Sequence, residues 1–351
     1  MWTYIVKRLL LMFPTLLGVM TLTFVVIQFV PGGPVEQMLL ELKGRNGASV
    51  EASGGGNNNY QGRQGLDAER MAEIKALYGF DKPPLQRFWL MLKRLAVFDL
   101  GESYYQHKSV WELVKSKIPV SASIGLWSFF LTYLVSVPLG IAKTVRAGSR
   151  FDFLTSLVVL IGYAIPGFVL GVLLLVLFGG GSFWQLFPLR GLTSENWQQL
   201  SLMGKVFDYL WHLVLPLTAS VIGGFAMVTF LTKNTFLEEI RKQYVLTARA
   251  KGLSEDTVLW RHIFRNAMLP LVTGFPAAFV GAFFTGSLLI ETLFSLDGLG
   301  LLSYEAVMRR DYPVVLGTLY LFTLIGLLTR LLSDLCYVLV DPRIQFDAVQ
   351  S

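Results

Sequence analysis

The sequence predicts an all-α, polytopic membrane protein with six transmembrane helices, and two observations carry that reading. Of the 351 residues, 53% are hydrophobic and only 15% charged, and the mean hydropathy is +0.54. A soluble domain of this size is far more polar. The apolar residues are also gathered into runs close to the roughly 20 residues that cross a hydrocarbon core. These runs are residues 9–30, 119–141, 154–178, 212–232, 270–291 and 314–340.

In chain order, residues 1–30 read as a retained transmembrane anchor. The apolar run is too long for a signal-peptide core, and no small-residue cleavage pattern precedes Pro31-Gly32-Gly33-Pro34. Residues 31–118 read as a periplasmic segment. Its 46–65 stretch is rich in Gly, Asn and Ser and is expected to be flexible. Residues 66–77 and 86–98 then read as helices, the first with Asp67 as N-cap and Gly79 as its stop. The five-helix core is expected over 119–340, followed by a cytoplasmic tail at 341–351.

Within the core, Pro138 and Gly140 lie near one end of span two, and Gly162, Pro166, Gly167 and Gly171 punctuate span three. Such residues are tolerated in spans where neighbouring helices supply hydrogen bonds or need close approach, and broken helices suit a transporter that changes shape. Residues 184–190, opening on Trp184, and 197–211, with Trp197 and Trp211 at its ends, suit short interfacial helices. Span five, with Gly274, Pro276, Ala277, Ala278, Gly281 and Gly286, suits a tight helix interface or a pathway wall. Arg330 and Asp334, four residues apart in span six, are expected to pair.

Charge distribution sets the topology. The net charge of +6 comes from 30 basic and 24 acidic residues, and its placement flanking the spans speaks for orientation rather than nucleic acid. Lys7 and Arg8, then Lys143, Arg146 and Arg150, then Lys233, Arg241, Lys242, Arg249, Lys251, Arg261 and Arg265 fall on one side. Arg190, Lys205, Arg309 and Arg310 fall on the other. That bias places both termini and the 235–270 loop in the cytoplasm.

The residue inventory argues against an enzyme. His107, His212 and His262 are scattered, and Cys336 stands alone in the last span, which gives neither a metal cluster nor a disulfide framework. Phosphate-loop, zinc-helix and nucleophile-elbow motifs do not occur. If the protein uses ATP, a partner must bind and hydrolyse it, and no cofactor is expected on this chain.

The 235–270 loop is the polar exception in an apolar chain. Thr235 and Glu238 have capping-box spacing and predict a helix starting just after span four. Phe236, Ile240, Tyr244 and Ala248 recur every four residues and predict one apolar stripe along it. Gly252 suits the left-handed turn that ends a helix, and Ser254 suits the cap of a second one, with Glu255 and Asp256 in its first turn. Trp260, Ile263, Phe264 and Ala267 give that second helix an apolar side, and Pro270 opens span five. The result is a helix–turn–helix hairpin with small residues at its tip, shaped to enter a partner's groove.

These residues carry a resemblance. The stretch YVLTARAKGLSEDTVLWRHIFRNAMLP (244–270) resembles the EAA coupling loop of bacterial ABC importer permeases of the dipeptide/oligopeptide/nickel branch. YIVKRLLLMFPTLLGV (4–19), PGGP from Pro31, YGFDKP from Tyr78, DLGESY from Asp99 and PVSASIGL from Pro119 agree with the same family. So do GSLLIETLFSLDGLGLLSYEAVMRRDYPVV (286–315) and DPRI from Asp341.

The resemblance implies a type I ABC importer permease fold in the bacterial inner membrane with a cytoplasmic coupling-helix hairpin. It implies that the chain pairs with a second homologous permease, above cytoplasmic ATP-binding subunits, and receives peptide from a periplasmic binding protein. Within the branch a nickel or metal-chelate cargo is the alternative, and outside it a stand-alone ion-coupled carrier or channel. By motif, the residues meeting the ATPase are Ala248, Arg249, Ala250, Lys251, Gly252 and Leu253. The motif's acidic position and first alanine fall at Leu246 and Thr247, so the resemblance assigns no acidic contact there.

Overall fold

The computed structural model describes residues 2–29, 81–179, 183–284 and 287–340. The helix expected at 66–77 and the tail at 341–351 lie outside these residues. The described chain is helical: α1 (Trp2–Phe29), α2 (Pro84–Ala96), α3 (Val110–Val145), α4 (Arg150–Ala164), α5 (Gly167–Leu174) and α6 (Leu202–Ile240) come first. There follow α7 (Gln243–Ala250), α8 (Glu255–Thr257), a π-helical stretch Val258–Ile263, α9 (Phe264–Ala267) and α10 (Leu269–Phe284). The last three are α11 (Leu288–Leu293), α12 (Leu299–Met308) and α13 (Tyr312–Val340). Among the described residues, five helical stretches are long and apolar enough to cross a membrane, and six if α4 and α5 together form one span.

The expected spans are present with shifted ends. The second begins at Val110 rather than 119, so the boundary expected at residue 118 falls inside α3. The third is broken. α4 and α5 meet at 90°, because Pro166 has no N–H to continue the ladder and pushes the preceding residue towards extended backbone. Ile165 accordingly sits at φ −88°, ψ 118°. The 184–190 stretch is not a helix, whereas the 197–211 stretch is helical in two pieces, a 3₁₀ turn at Trp197–Gln199 and the first turns of α6 from Leu202. Indole groups tie these pieces together: Trp211 Nε1 donates to the Leu186 carbonyl of the irregular stretch at 3.1 Å, and Trp197 Nε1 to the Lys205 carbonyl in the first turn of α6 at 3.1 Å.

The chain forms two compact units. The first comprises Met1–Ile5, Ser116–Leu302 and Ile325–Ser351. Its core joins Leu213, Leu217 and Ala219 of α6 to Ile124 of α3, Leu175 after α5, and Phe294 and Leu296 after α11. Small residues set how closely these helices approach: a Cβ on Gly167 would meet the Ala219 carbonyl at 2.5 Å, and one on Gly125 would overlap the carbonyl of Ala282 in α10. Phe129 and Tyr133 of α3 pack against Phe275 and Phe279 of α10 as edge-on rings. Asp334 accepts a hydrogen bond from the Tyr4 hydroxyl at 2.8 Å, while Arg330 is exposed, which replaces the pair expected within span six. Glu291, expected at a span border, is 1% exposed. Its carboxylate accepts from Ser121 Oγ at 2.9 Å and from the Leu301 N–H at 2.8 Å, capping the start of α12.

The second unit comprises Val6–Lys115 and Ser303–Leu324. Arg87 of α2 donates to Gln28 Oε1 at 2.7 Å, and Phe88 packs on Phe24, fixing α2 to the last turns of α1. Asp311 is 4% exposed and accepts from Ser103 Oγ at 2.5 Å and the Tyr104 N–H at 3.1 Å. Burial raises its pKa above the usual carboxylate value, against the lowering effect of these donors.

Gly125→Ala is expected to cost about 1–3 kcal/mol, because backbone cannot yield as a side chain can. A thermal-unfolding scan of the purified protein in detergent checks this against Gly148→Ala, whose Cβ meets nothing within 4 Å but whose φ of +77° brings strain alone.

Candidate coupling hairpin

The hairpin is built on the end of α6. That helix runs uninterrupted through Thr235, whose Oγ1 donates to the Thr232 carbonyl at 3.0 Å inside the helix. The capping box expected at Thr235 and Glu238 is therefore not formed, because the apolar helix continues and supplies the backbone partners a cap would have replaced. The break comes six residues later. Arg241 ends α6 and Lys242 is extended at φ −74°, ψ 150°. No Gly or Pro marks this point. Tertiary packing decides it, since the turn lets Val245 be completely buried while α7 folds back.

The break is held by Glu239, which is 9% exposed. Its carboxylate takes an ion pair from Lys242 and a 2.7 Å hydrogen bond from the Tyr244 hydroxyl. Burial first, and the neighbouring Glu239 carboxylate after it, push the Tyr244 hydroxyl above its ordinary pKa, opposed by a hydrogen bond to Asn266. The expected four-residue stripe thus splits into Phe236 and Ile240 on α6, and Tyr244 and Ala248 on α7.

The tip follows the sequence closely. Gly252 adopts φ +79°, the left-handed region where a side chain is strained. Its N–H donates to the Arg249 carbonyl at 2.9 Å, and that of Leu253 to the Ala248 carbonyl at 3.4 Å, closing α7. Ser254 Oγ accepts from the Thr257 N–H at 3.4 Å and starts the return arm, with Glu255 and Asp256 in its first turn. Arg249 and Glu255 bridge the turn at 2.8 Å. Because both are on the surface, the pair contributes little to stability.

One apolar core fastens both arms. Phe236, Val245, Ala248, Val258, Ile263 and Ala267 bury together with Ile141 near the end of α3. The return arm was expected to turn Trp260, Ile263, Phe264 and Ala267 inward. Ile263 and Ala267 are buried and Phe264 is half-buried, but Trp260 is 56% exposed and Val258 takes the inner place. The π-helical stretch Val258–Ile263 explains the change, since one residue more per turn rotates every following side chain. Of the six residues expected at the interface, Arg249, Ala250, Lys251, Gly252 and Leu253 are exposed together at the tip. Ala248 is 6% exposed and faces the hairpin's own core.

Residues 136–346 match the family model described as binding-protein-dependent transport system inner membrane component. The chain belongs to that family. It is 54% identical over 360 residues, 99% of each chain, to the peptidoglycan transport system permease protein YejB of Agrobacterium fabrum. It is 54% identical over 362 residues to the inner membrane ABC transporter permease protein YejB of Escherichia coli O157:H7, covering 99% of this chain and all of that one. The dipeptide transport system permease protein DppB of Escherichia coli K12 is 32% identical over 366 residues, 98% of this chain and 99% of its own. As a family member with several membrane-crossing helices, the chain is a multi-pass inner-membrane permease, and the hairpin falls inside the matched region.

Sequence reading passes over the charged groups that matter most here: Glu239 plays no part in it, and Lys143 and Lys233 enter only as topology-setting charges. Lys143 is in fact fully buried. Removing the hairpin's main anchor by Phe236→Ala is expected to cost about 3–5 kcal/mol of local stability. Hydrogen exchange should then speed up across 243–267 while the central turns of α6 stay protected.

Proposed function

We propose that this chain is the membrane-spanning permease subunit of an ATP-driven importer that moves peptides across the inner membrane. It pairs with a second, homologous permease and carries no nucleotide site of its own. ATP is bound and hydrolysed by cytoplasmic subunits that receive the tip residues Arg249, Ala250, Lys251, Gly252 and Leu253 in a groove. A periplasmic binding protein delivers the peptide. Both termini and the hairpin lie in the cytoplasm, as the charge bias requires.

The observation that carries the reading is the hairpin itself: a tip exposed to water on a base buried among the ends of α3 and α6. A knob fastened in this way passes a push from a soluble partner to the spans with little loss, because packed interiors deform little. Peptide cargo is supported by the relatives, which are named for peptidoglycan and dipeptide transport. That favours peptide over the metal-chelate alternative within the branch. Ala248, buried beneath the tip, supports the contact without making it.

Gly252→Trp tests the proposal in proteoliposomes holding the whole importer. A side chain at φ +79° costs about 1–2 kcal/mol and adds bulk where the groove must close. Peptide uptake should fall by about tenfold or more while the chain still inserts and assembles. Unchanged uptake together with unchanged ATPase stimulation would refute the role of the tip. With hydrolysis-deficient ATPase subunits, uptake should cease; uptake that continued under an ion gradient would point to a carrier instead.

A further inference from the structure

A second built site lies one helical turn from the hairpin's anchor. Lys143, at the end of α3, has no exposed surface, and its ammonium donates to the Asp152 carbonyl at 2.8 Å, Thr155 Oγ1 at 2.9 Å and Ser156 Oγ at 2.7 Å. It also lies 3.0 Å from the Asp152 carboxylate. Lys233 of α6 reaches the same carboxylate from the other side, with Nζ 2.7 Å from Oδ1 and 2.8 Å from Oδ2. One carboxylate in the first turn of α4 thus joins three helices. The joint is tight: Thr144 Oγ1 donates to the Lys233 carbonyl at 3.2 Å, and a Cβ on Gly140 would meet the Thr229 carbonyl at 2.8 Å.

Ion pairs buried like this are a poor means of gaining stability, since well-packed apolar residues often do as well. What they fix is geometry. Lys233 precedes Phe236, the hairpin's anchor, by three residues on the same helix, and Asp152 opens the span that breaks by 90° at Pro166. We propose that Asp152 is a positioning residue for transport. It ties the first turn of the broken span to the hairpin-bearing helix, so that displacement of the hairpin is delivered to the break at Pro166. This rests on the reading above, in which the hairpin meets the ATPase.

The test uses the complete importer in proteoliposomes and reads peptide taken up per ATP hydrolysed. Asp152→Asn should lower that ratio about tenfold or more, within the usual range of coupling between sites, with assembly intact. Lys233→Arg keeps a cation able to fork onto the carboxylate and should remain coupled. The triple variant Lys143→Met, Asp152→Asn, Lys233→Met leaves no buried charge unpaired, so a cluster needed only for its own charge balance would be restored by it. The proposal expects the triple variant to stay uncoupled, and recovery of the parental ratio would overturn it.

A Lys251→Cys cross-link to the ATPase subunit separates this from the underlying reading. An intact cross-link with an unchanged uptake ratio in Asp152→Asn overturns the positioning role alone. No cross-link in the otherwise unaltered importer overturns the hairpin reading and the positioning role with it.

Discussion

The structure depends on one apolar contact. A polar hairpin in water can act on helices in lipid only if something fixes it to them. Here that is the packing of Phe236, Val245, Ala248, Val258 and Ile263 against Ile141. Phe236, Val245 and Val258 have no exposed surface, so the base excludes water and the tip keeps its position. Glu239 adds direction. By holding Lys242 and Tyr244 it sets where α6 stops and α7 turns back.

The same division between a fixed base and a free surface recurs elsewhere. Asp152 holds two lysines from two other helices, Glu291 caps α12 while bonded to Ser121, and Asp311 gathers the loop at Ser103 and Tyr104. Each buried carboxylate also receives a backbone N–H that lies outside a regular ladder, that of Gly148 at 3.2 Å in the case of Asp152, where an unmet donor would be expensive.

Much of this was legible in the sequence. Apolar run length located the spans, Pro166 announced the break in the third, and Gly252 and Ser254 gave the turn and cap of the hairpin at the right residues. What was not legible depended on the third dimension. The Thr235 capping box failed because a helix already running has no free N–H to cap. The inner face of the return arm shifted from Trp260 to Val258 because a π-helical stretch leaves no mark in a 3.6-residue pattern. Lys143 and Lys233 looked like surface charges because nothing in a linear reading places Asp152 between them.

The central claim is that the hairpin and the ends of α3 and α6 move as one body. Spin labels at the exposed positions 247 on α7 and 146 just past α3, in the full importer, measure it directly through their separation with and without bound ATP. The account predicts one narrow distance distribution, the same in both states. A distribution that broadens, or moves by about 5 Å, the rise of one helical turn, would show that the hairpin swings on its own and would contradict it.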